Sequence, residues 1–167
     1  MENNKKQHWE TVFTTKAENE VSWYQNEPKT SIQLIQACKV SKDAKIIDIG
    51  GGDSYLIDSL LDLGYTNLFL VDISAAAIER AKKRLGDKAK KVTFIVSDSL
   101  YFQSDEKFDV WHDRASFHFF TTANDIEQYK TNMITNSTKN GQLILGTFSE
   151  DGPLKCSGLS ISQYSVE

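Results

Sequence analysis

The sequence is short of cysteine, of long hydrophobic runs and of charge of one sign, and each shortage excludes a class of protein. Only two cysteines, Cys38 and Cys156, occur among 167 residues. They lie far apart and in no metal-binding spacing, which argues against a disulfide framework and favours free thiols in a reducing compartment. No run reaches membrane-spanning length, and the polar N-terminus MENNKKQHWETVF lacks the apolar segment of a secretory signal. We therefore expect a cytoplasmic protein without membrane contact.

The charge balance is ordinary for a soluble domain. Charged residues make up 25% of the chain and the formal net charge is -4, so there is no overall electrostatic case for binding DNA or RNA. One basic cluster falls where a predicted helix runs into a loop, and we interpret it as a solvated face. It comprises Lys82, Lys83, Arg84, Lys88, Lys90 and Lys91. The length suits a single domain with one core.

From residue 45 onward, short β-rich runs alternate with helical patterns. Five runs are predicted as strands: KIIDIG, NLFLVDI, KVTFIVSD, KFDVWHD and QLILGTFS. Three are predicted as helices: DSYLIDSLLDLG, SAAAIERAKKRLG and NDIEQYKTNMITNS. Strands this continuously apolar are buried on both faces, as in parallel sheets covered by helices. The alternation therefore predicts a doubly wound α/β domain over residues 45–167, and residues 1–44 look like two helices laid on its front.

A run of three glycines, Gly50, Gly51 and Gly52, follows the first predicted strand in the stretch IIDIGGGDSYL. In an open parallel sheet, ligands bind at the carboxyl ends of the strands, and glycines there let a ligand reach backbone N–H groups. A nicotinamide dinucleotide site would require G-x-G-x-x-G, but the third glycine position is Tyr55. The chain instead has Asp48 two residues before the first glycine. An acid there favours a cationic or donor-rich ligand over a pyrophosphate; the alternative is a tight turn with no ligand.

Two more predicted strands also end in acids. Asp72 ends the second strand, where a carboxylate can accept hydrogen bonds from both hydroxyls of a ribose, and Ile73 beside it offers an apolar surface to a purine. Asp98 ends the third strand and could accept from an exocyclic amine. Each acid could instead cap the following helix. Acids at the ends of three consecutive strands favour a ligand with ribose, adenine and ammonium groups.

The sequence resembles the class I S-adenosylmethionine-dependent methyltransferases. The resemblance covers about residues 20–150 and is carried by five motifs together: IIDIGGGDSYL, LFLVDIS, VSDSL, FDVWHDRASFHFF and GQLILGTFS. It implies a Rossmann-like fold and S-adenosyl-L-methionine as cofactor, with S-adenosyl-L-homocysteine as product and no metal. The family's third loop glycine is Ser54 here, a small departure that changes the turn but not the identification.

The resemblance also implies roles for individual residues. The loop from Gly50 to Gly52 would contact the methionine portion, with Asp48 near its ammonium group. Asp72 would bind the ribose and Ile73 would pack on the adenine. Asp98, with the Ser99 backbone, would bind the adenine edge. These residues are predicted to bind the cofactor, as are Trp23 and His112.

Methyl transfer from a sulfonium needs mainly the alignment of a nucleophile with the methyl carbon. Such alignment can lower the activation barrier by roughly 7–11 kcal/mol. No acid–base pair is therefore required. If the acceptor is an amine, Asp113 or His118 could take its proton. His118, in the aromatic run SFHFF, could equally be a packing residue, and the spacing of His112 and His118 matches no familiar metal site.

The acceptor is left open by the sequence. The stretches HDRASFHFF and GTFSEDGPLKCSGLSISQY look like a bacterial group related to protein-lysine methyltransferases, and the Asp113–Arg114 pair is similar to that of thiopurine methyltransferases. Protein lysines, small thiols or amines, and metalloids all fit. The alternative to an enzyme is a non-catalytic binding or sensing module of the same fold, which need not keep the glycines and all three acids.

The N-terminal stretch HWETVFTTKAENEVSWYQNEPKTS looks like the family's lid. Trp23 and Tyr24 are predicted to close over the cofactor, and Pro28 to stop the preceding turn. The alternative is that both aromatic side chains only anchor this segment to the sheet.

The C-terminal part differs from the family, whose members usually add a helix and two more strands. We predict a five-stranded sheet in the order 3-2-1-4-5, with a turn at Asn140–Gly141 and the last strand, residues 142–148, as an apolar edge. Residues 150–160 are predicted as loop, and SQYSVE as the start of a helix. An unguarded edge invites pairing. We expect this chain to be a shortened form of a longer protein; the alternative is a homodimer through that edge.

Overall fold

A five-stranded parallel sheet forms the centre of the computed structural model, which describes residues 2–114 and 116–165. The strands are β1 (Lys45–Ile49), β2 (Asn67–Asp72), β3 (Val92–Val96), β4 (Phe108–Arg114) and β5 (Ser137–Gly146). They lie in the order β3-β2-β1-β4-β5, and all four pairings are parallel. The predicted strand order is therefore confirmed, with β1 and β4 meeting where the order reverses.

Five α-helices flank the sheet. They are α1 (Glu2–Thr15), α2 (Lys29–Ala37), α3 (Leu56–Asp62), α4 (Ala75–Leu85) and α5 (Ala123–Asn136). The ends of α4 are those predicted from its sequence. The Ser74 hydroxyl accepts a hydrogen bond from the Ala77 N–H at 3.2 Å, and Gly86 ends the helix with a φ of 55°. Within the described residues, no helix is long and apolar enough to cross a membrane.

The three central strands are buried on both faces, as their continuous apolar runs predict. On one face, Ile46 and Leu70 pack among side chains of α2, α3 and α4. On the other face, Ile47 and Trp111 join a cluster with Tyr129 of α5. Adjacent residues of a strand point to opposite faces, so a helix layer on each side is needed to cover them.

The two outer strands are more exposed. In β3 the side chains are half-buried or exposed, and in β5 Leu143 and Leu145 are 47% and 38% exposed. The free edge of β5 forms no strand pair among the described residues.

The fifth strand begins earlier than predicted. Ser137 pairs with Phe108 and Gln142 pairs with Val110, so residues 138–141 bulge out of the ladder. The predicted turn at Asn140–Gly141 is therefore part of this irregularity inside β5, and the strand ends at Gly146 rather than at residue 148. Asn140 and Gly141 do interrupt the ladder, as predicted, but β5 starts before them because Ser137 pairs with Phe108.

The prediction for the C-terminal segment was wrong in two respects. Residues 150–160, predicted as loop, contain a small antiparallel hairpin of β6 (Lys155–Cys156) and β7 (Leu159–Ser160). Its turn residues, Ser157 and Gly158, have φ values of 50° and 80°, the combination that a tight hairpin requires. These strands pair with each other and leave the main sheet at five strands.

The segment after the hairpin, residues 161–165, forms no helix, and the last two residues of the predicted helix start, 166 and 167, lie outside the described residues. The Ser162 N–H donates to the His118 carbonyl at 2.8 Å, and the Tyr164 N–H donates to the Phe148 carbonyl at 2.9 Å. The Tyr164 ring packs on Phe117 with 5.2 Å between ring centroids. These tertiary bonds use the backbone groups that a helix would need internally.

Candidate active site

A cavity lies at the carboxyl ends of the four strands β1 to β4, at the point where the strand order reverses. Parallel sheets bind ligands at this position. The lining residues come from the strand ends, the segment after β4, the N-terminal segment and the hairpin. They are Lys5, Trp9, Phe13, Trp23, Gly50, Val71, Asp72, Ile73, Ser97, Asp98, Ser99, Arg114, Ser116, Phe119, Phe120 and Cys156.

The glycine loop after β1 has a backbone that only glycine adopts without strain. Gly50 and Gly52 have φ values of 61° and 54°. A Cβ atom on Gly50 would lie 2.6 Å from the Cβ of Ser116, and one on Gly52 would lie 2.9 Å from the Phe13 ring. Gly50 therefore lets Ser116, in the turn after β4, approach the loop closely, while Gly52 lets Phe13 of α1 pack directly onto it.

The Asp72 carboxylate joins this loop to the start of α4. One oxygen accepts from the Gly52 N–H at 2.9 Å and the other from the Ser74 N–H at 2.8 Å. The side chain is almost fully buried at the cavity wall. Burial raises the pKa of Asp72 to about 7, although the two N–H donors oppose this shift.

Asp48 lies at the end of β1, beneath the glycine loop. Its Oδ1 is 2.7 Å from Nδ1 of His112, and Nε2 of that ring is 2.9 Å from the Ser31 hydroxyl of α2. All three side chains are buried. The other carboxylate oxygen, Oδ2, is buried without a hydrogen-bond partner, and a Cβ on Gly51 would collide with it. An unpaired buried acceptor next to a cavity is costly unless a ligand supplies a donor.

The end of β3 supplies the remaining predicted group. Asp98 and Ser99 line the cavity, and Ile73 lies at the end of β2 beside them. Asp98 Oδ1 accepts from the Leu100 N–H at 2.9 Å. The Ser99 carbonyl accepts from Asn132 of α5 at 2.6 Å. Asp98 thus caps a local turn and also faces the cavity.

The predicted catalytic side chains lie behind the cavity wall. Asp113 is fully buried; it accepts from the Ser116 and Phe117 N–H groups at 2.9 and 3.2 Å and from the Tyr129 hydroxyl at 2.6 Å. Burial raises the pKa of Asp113 to about 6. Its hydrogen bonds hold the turn that follows β4.

His118 is also buried, between Phe119 and Phe148, with ring centroids at 4.3 and 4.9 Å. Neither ring nitrogen has a partner, and burial lowers the pKa of His118 to about 4. Neither His118 nor Asp113 is among the described residues that line the cavity.

The N-terminal segment forms the aromatic roof of the cavity. The Trp9 ring lies 5.7 Å from Trp23 and 5.2 Å from Phe119, centroid to centroid. The Glu10 carboxylate holds α1 in place, because it accepts from the N–H of Ala75 at 2.6 Å and of Ala76 at 3.1 Å. A carboxylate at the positive end of α4 is electrostatically favourable.

Sequence analysis located one part of this site and missed another. Gly50, Asp72, Ile73, Asp98, Ser99 and Trp23 all line the cavity, whereas Asp48, Gly51, Gly52 and His112 support it from behind. Tyr24 instead packs on Tyr55. Trp9 and Phe13 were missed, although the spacing of Trp9, Val12 and Phe13 is that of one helical face.

A family model described as "Methyltransferase domain" matches residues 40–163. The chain belongs to this methyltransferase-domain family. The predicted membership of the class I S-adenosylmethionine-dependent methyltransferases is thereby confirmed.

Curated relatives of this methyltransferase-domain protein are longer than the chain. It is 27% identical over 112 residues to an eEF1A lysine and N-terminal methyltransferase of Mus musculus, which covers 65% of this chain and 16% of the mouse protein. It is 31% identical over 108 residues to EEF1A lysine methyltransferase 2 of Danio rerio, covering 63% of this chain and 46% of that protein. A malonyl-[acyl-carrier protein] O-methyltransferase of Anoxybacillus flavithermus is 31% identical over 106 residues, covering 63% and 39%. The chain spans less than half of each relative.

Solved structures show the same fold. An S-adenosylmethionine-dependent methyltransferase from Clostridium acetobutylicum superposes with a TM-score of 0.64 at 17% identity, covering 88% of this chain and 58% of the other. A methyltransferase from Thiobacillus denitrificans in complex with S-adenosyl-L-homocysteine gives 0.63 at 22% identity, covering 77% and 52%. At these identities the likeness establishes the fold. Across residues 2–114 and 116–165, no group of three or more His, Cys, Asp or Glu side chains is placed to hold a metal ion.

The close approach at Gly50 generates a stability prediction. Gly86→Ala also adds a Cβ to a glycine with positive φ, but with no atom within 4 Å of it, so we expect only the backbone strain, a loss of about 1–3 kcal/mol in the free energy of unfolding. Gly50→Ala adds the collision with Ser116, so we expect a further loss of about 1–3 kcal/mol. Urea unfolding of both variants measures the difference. Adding Ser116→Gly to Gly50→Ala should recover most of the extra loss; equal losses for the two single variants would show that the approach is not tight.

Proposed function

We propose that this protein is an S-adenosylmethionine-dependent methyltransferase that moves a methyl group to an amine or another nucleophile of a protein or small molecule. The observation that carries the proposal is the convergence of three strand ends on one cavity. Gly50 after β1, Asp72 at the end of β2 and Asp98 after β3 line it together. The unpaired oxygen of Asp48 lies beneath the same loop. A ligand with a ribose, an adenine and an ammonium group would offer a contact to each of these four residues.

The residues fit that cofactor one group at a time. We propose that the Asp72 carboxylate accepts hydrogen bonds from the ribose hydroxyls and that Ile73 packs against the adenine. Asp98 and the Ser99 backbone would face the adenine edge. The loop from Gly50 to Gly52 would pass close to the methionine portion, with Asp48 Oδ2 as acceptor for its ammonium group. When bound, the cofactor supplies a methyl group already activated by its positive sulfur.

The protein's part in catalysis is then mainly positioning. Removal of a proton by Asp113 or His118 stays a hypothesis, and their placement does not favour it. Asp113 has both oxygens committed to the turn after β4, and His118 is covered by Phe119 and Phe148. We propose that the aromatic roof and the residues after β4 align the acceptor.

We propose that residues 1–44 act as the lid of a cofactor-binding core formed by residues 45–167. Trp23 and Trp9 on the cavity roof support this proposal. We propose that the acceptor is a protein lysine or a small molecule; the mouse relative is a lysine and N-terminal methyltransferase, and the Anoxybacillus relative is an O-methyltransferase that acts on malonyl-[acyl-carrier protein]. The two cysteines lie apart as free thiols, which is consistent with the proposed cytoplasmic location.

The first test asks which cofactor binds and whether it reacts. We expect S-adenosylmethionine and S-adenosylhomocysteine to bind in calorimetric titrations, and Asp72→Ala to weaken binding by about 10–100-fold because charge-assisted hydrogen bonds are lost. Asp87→Ala, which removes an exposed acid, is the control. Labelled methyl should pass from the cofactor to a protein or small-molecule fraction of a lysate. Tight NAD(H) binding alone would refute the proposal, and binding without any transfer would favour a non-catalytic module.

The raised pKa of Asp72 predicts how cofactor affinity depends on pH. With a pKa of about 7 in the free protein, the carboxyl is largely protonated at lower pH. Ribose hydroxyls donate best to the ionised carboxylate of Asp72, so below a pH of about 7 ligand binding requires this carboxyl to lose its proton. The affinity for the ligand therefore rises with pH up to about 7. Titrations with S-adenosylhomocysteine from about pH 6 to pH 8 should show this rise, and Asp72→Asn should flatten it. A pH-independent affinity in the unmodified protein would contradict the role.

We also propose that the free edge of β5 pairs with a second copy of the chain. Leu143 and Leu145 are exposed on this strand, and its regularly paired part, from Gln142 to Gly146, has no charged or proline residue to block pairing; the one charged residue of β5, Lys139, lies in the bulged residues 138–141. Sedimentation equilibrium should show a concentration-dependent dimer that Leu143→Lys with Leu145→Lys abolishes. Leu154→Lys, at an exposed leucine outside the sheet, is the control. A monomer at all concentrations would refute this proposal.

A further inference from the structure

The charged side chains that line the cavity are divided by sign between two sets of elements. The two acids, Asp72 and Asp98, stand at the end of β2 and just after β3, and the two cations are Lys5 of α1 and Arg114 of β4. Four ring-bearing residues line the cavity with the cations and form with them what we call the aromatic side: Trp9, Trp23, Phe119 and Phe120. Among the lining residues that the structure describes, the carboxylates thus all lie away from the aromatic side.

Contacts between neighbouring side chains join the aromatic side into one surface. The Trp9 ring lies 5.7 Å from Trp23 and 5.2 Å from Phe119, centroid to centroid, with interplanar angles of 75° and 73°. The Lys5 ammonium lies 5.3 Å from the centroid of the Phe120 ring. Aromatic rings favour edge-to-face and offset contacts with further rings, so this surface suits a flat aryl group.

Lys5 is the better placed of the two cations to receive a ligand. The Arg114 guanidinium already donates to the Gln25 side chain and to the Trp23 carbonyl. The half-buried Lys5 ammonium, by contrast, forms no ion pair within residues 2–114 and 116–165. A ring face binds an ammonium less strongly than an anion does. Lys5 can therefore move from Phe120 to an anion that enters the cavity.

The described residues around the aromatic side offer no ready base for an amine acceptor. Asp113 uses both carboxylate oxygens in the turn after β4, and His118 is covered by Phe119 and Phe148. Burial raises the pKa of the Cys156 thiol, so this group stays protonated at neutral pH. An alkylamine is a cation at neutral pH and must lose a proton before it can attack. The positive charge of the aromatic side also repels it, whereas an acceptor that is already an anion needs no base and is attracted.

We propose that the methyl acceptor is a small, flat aryl compound whose nucleophilic atom is an ionised oxygen or sulfur, and that Lys5 pairs with this anion. The inference rests on the proposed function and names the acceptor class of the same site. In the transfer, a lone pair of the anionic atom forms the new bond to the methyl carbon. The bond between that carbon and the sulfonium sulfur breaks, and its electron pair stays on the sulfur. The anion and the sulfonium become two neutral groups, and no proton is moved.

The binding test compares two flat ligands of opposite charge. The protein is first saturated with S-adenosylhomocysteine and is then titrated by calorimetry at pH 7 with benzoate or with benzylamine. We expect benzoate to bind at least about tenfold more tightly, because only benzoate can accept a charge-assisted hydrogen bond from Lys5. In a second measurement, labelled methyl from S-adenosylmethionine should pass to 4-nitrothiophenol and not to benzylamine.

Variants of α1 show whether the preference comes from Lys5. Lys5→Met keeps an unbranched side chain and removes the charge, so it should weaken benzoate binding by about tenfold and change benzylamine binding by less than about threefold. Lys6→Met is the matched control, because Lys6 is an exposed lysine of the same helix that is not among the residues lining the cavity. It should leave the binding of both ligands unchanged.

The order of the titrations separates failure of this inference from failure of the proposed function. Benzylamine binding that equals or exceeds benzoate binding overturns the inference, and so does binding of neither ligand or methyl transfer to benzylamine alone. An equal loss of benzoate affinity in Lys5→Met and Lys6→Met also overturns it, because the attraction would then come from the general charge of α1. Failure to bind S-adenosylhomocysteine in the first step would reject the proposed function, and the inference with it.

Discussion

Two carboxylates buried at neighbouring strand ends are the constraint on which the site depends. Asp48 and Asp72 lie at the ends of β1 and β2, and burying either one is expensive unless donors surround it. The fold supplies most of these donors from backbone and from His112. The glycine loop takes its left-handed conformation around them, since the Gly52 N–H must reach Asp72 and Gly51 must leave room for Asp48. The loop, the start of α4 and the first turn of α2 are thus positioned by the same pair of acids.

The N-terminal segment is attached to this centre by specific polar contacts as well as by buried apolar side chains, among them Phe13 and Ile35. Glu10 caps α4, Ser31 bonds His112, and Arg114 bonds the backbone of Trp23. Each contact joins this segment to α4 or to β4. Hydrogen bonds to charged groups, such as those of Glu10 and Arg114, contribute about 1.5–3 kcal/mol each. The proposed lid role of this segment would require these contacts to open.

Sequence reasoning predicted the parts of the molecule that are fixed locally. Ser74 and Gly86 mark the ends of α4 by short-range capping, and apolar runs such as KIIDI mark buried strands, so both were located correctly. Trp9 and Phe13 were not identified because their position over the cavity depends on α1 docking on α4 through Glu10, which is a tertiary contact. His112 was assigned to the ligand although it lies behind Asp48, since a strand end does not reveal which of two neighbouring side chains faces the cavity. The two-residue strands of the hairpin are too short to produce a periodic signal.

The cavity has two sides of different origin, and this difference bears on how substrate choice arises. The groups proposed to bind the cofactor stand at the ends of β1 to β3, and the burial of β1 and β2 on both faces of the sheet limits substitution in those two strands. The groups opposite them come from α1, the segment around Trp23, the turn after β4 and the hairpin that carries Cys156. These segments are joined to the sheet mainly through individual side-chain and backbone contacts. Substitutions at Trp23 or Cys156 would alter the shape and charge of this side of the cavity, whereas Phe13 and Ser116 contact the glycine loop, whose Gly52 N–H donates to Asp72. Under the proposed function, such an arrangement would let the acceptor change while the cofactor stays the same, because the two would contact different elements.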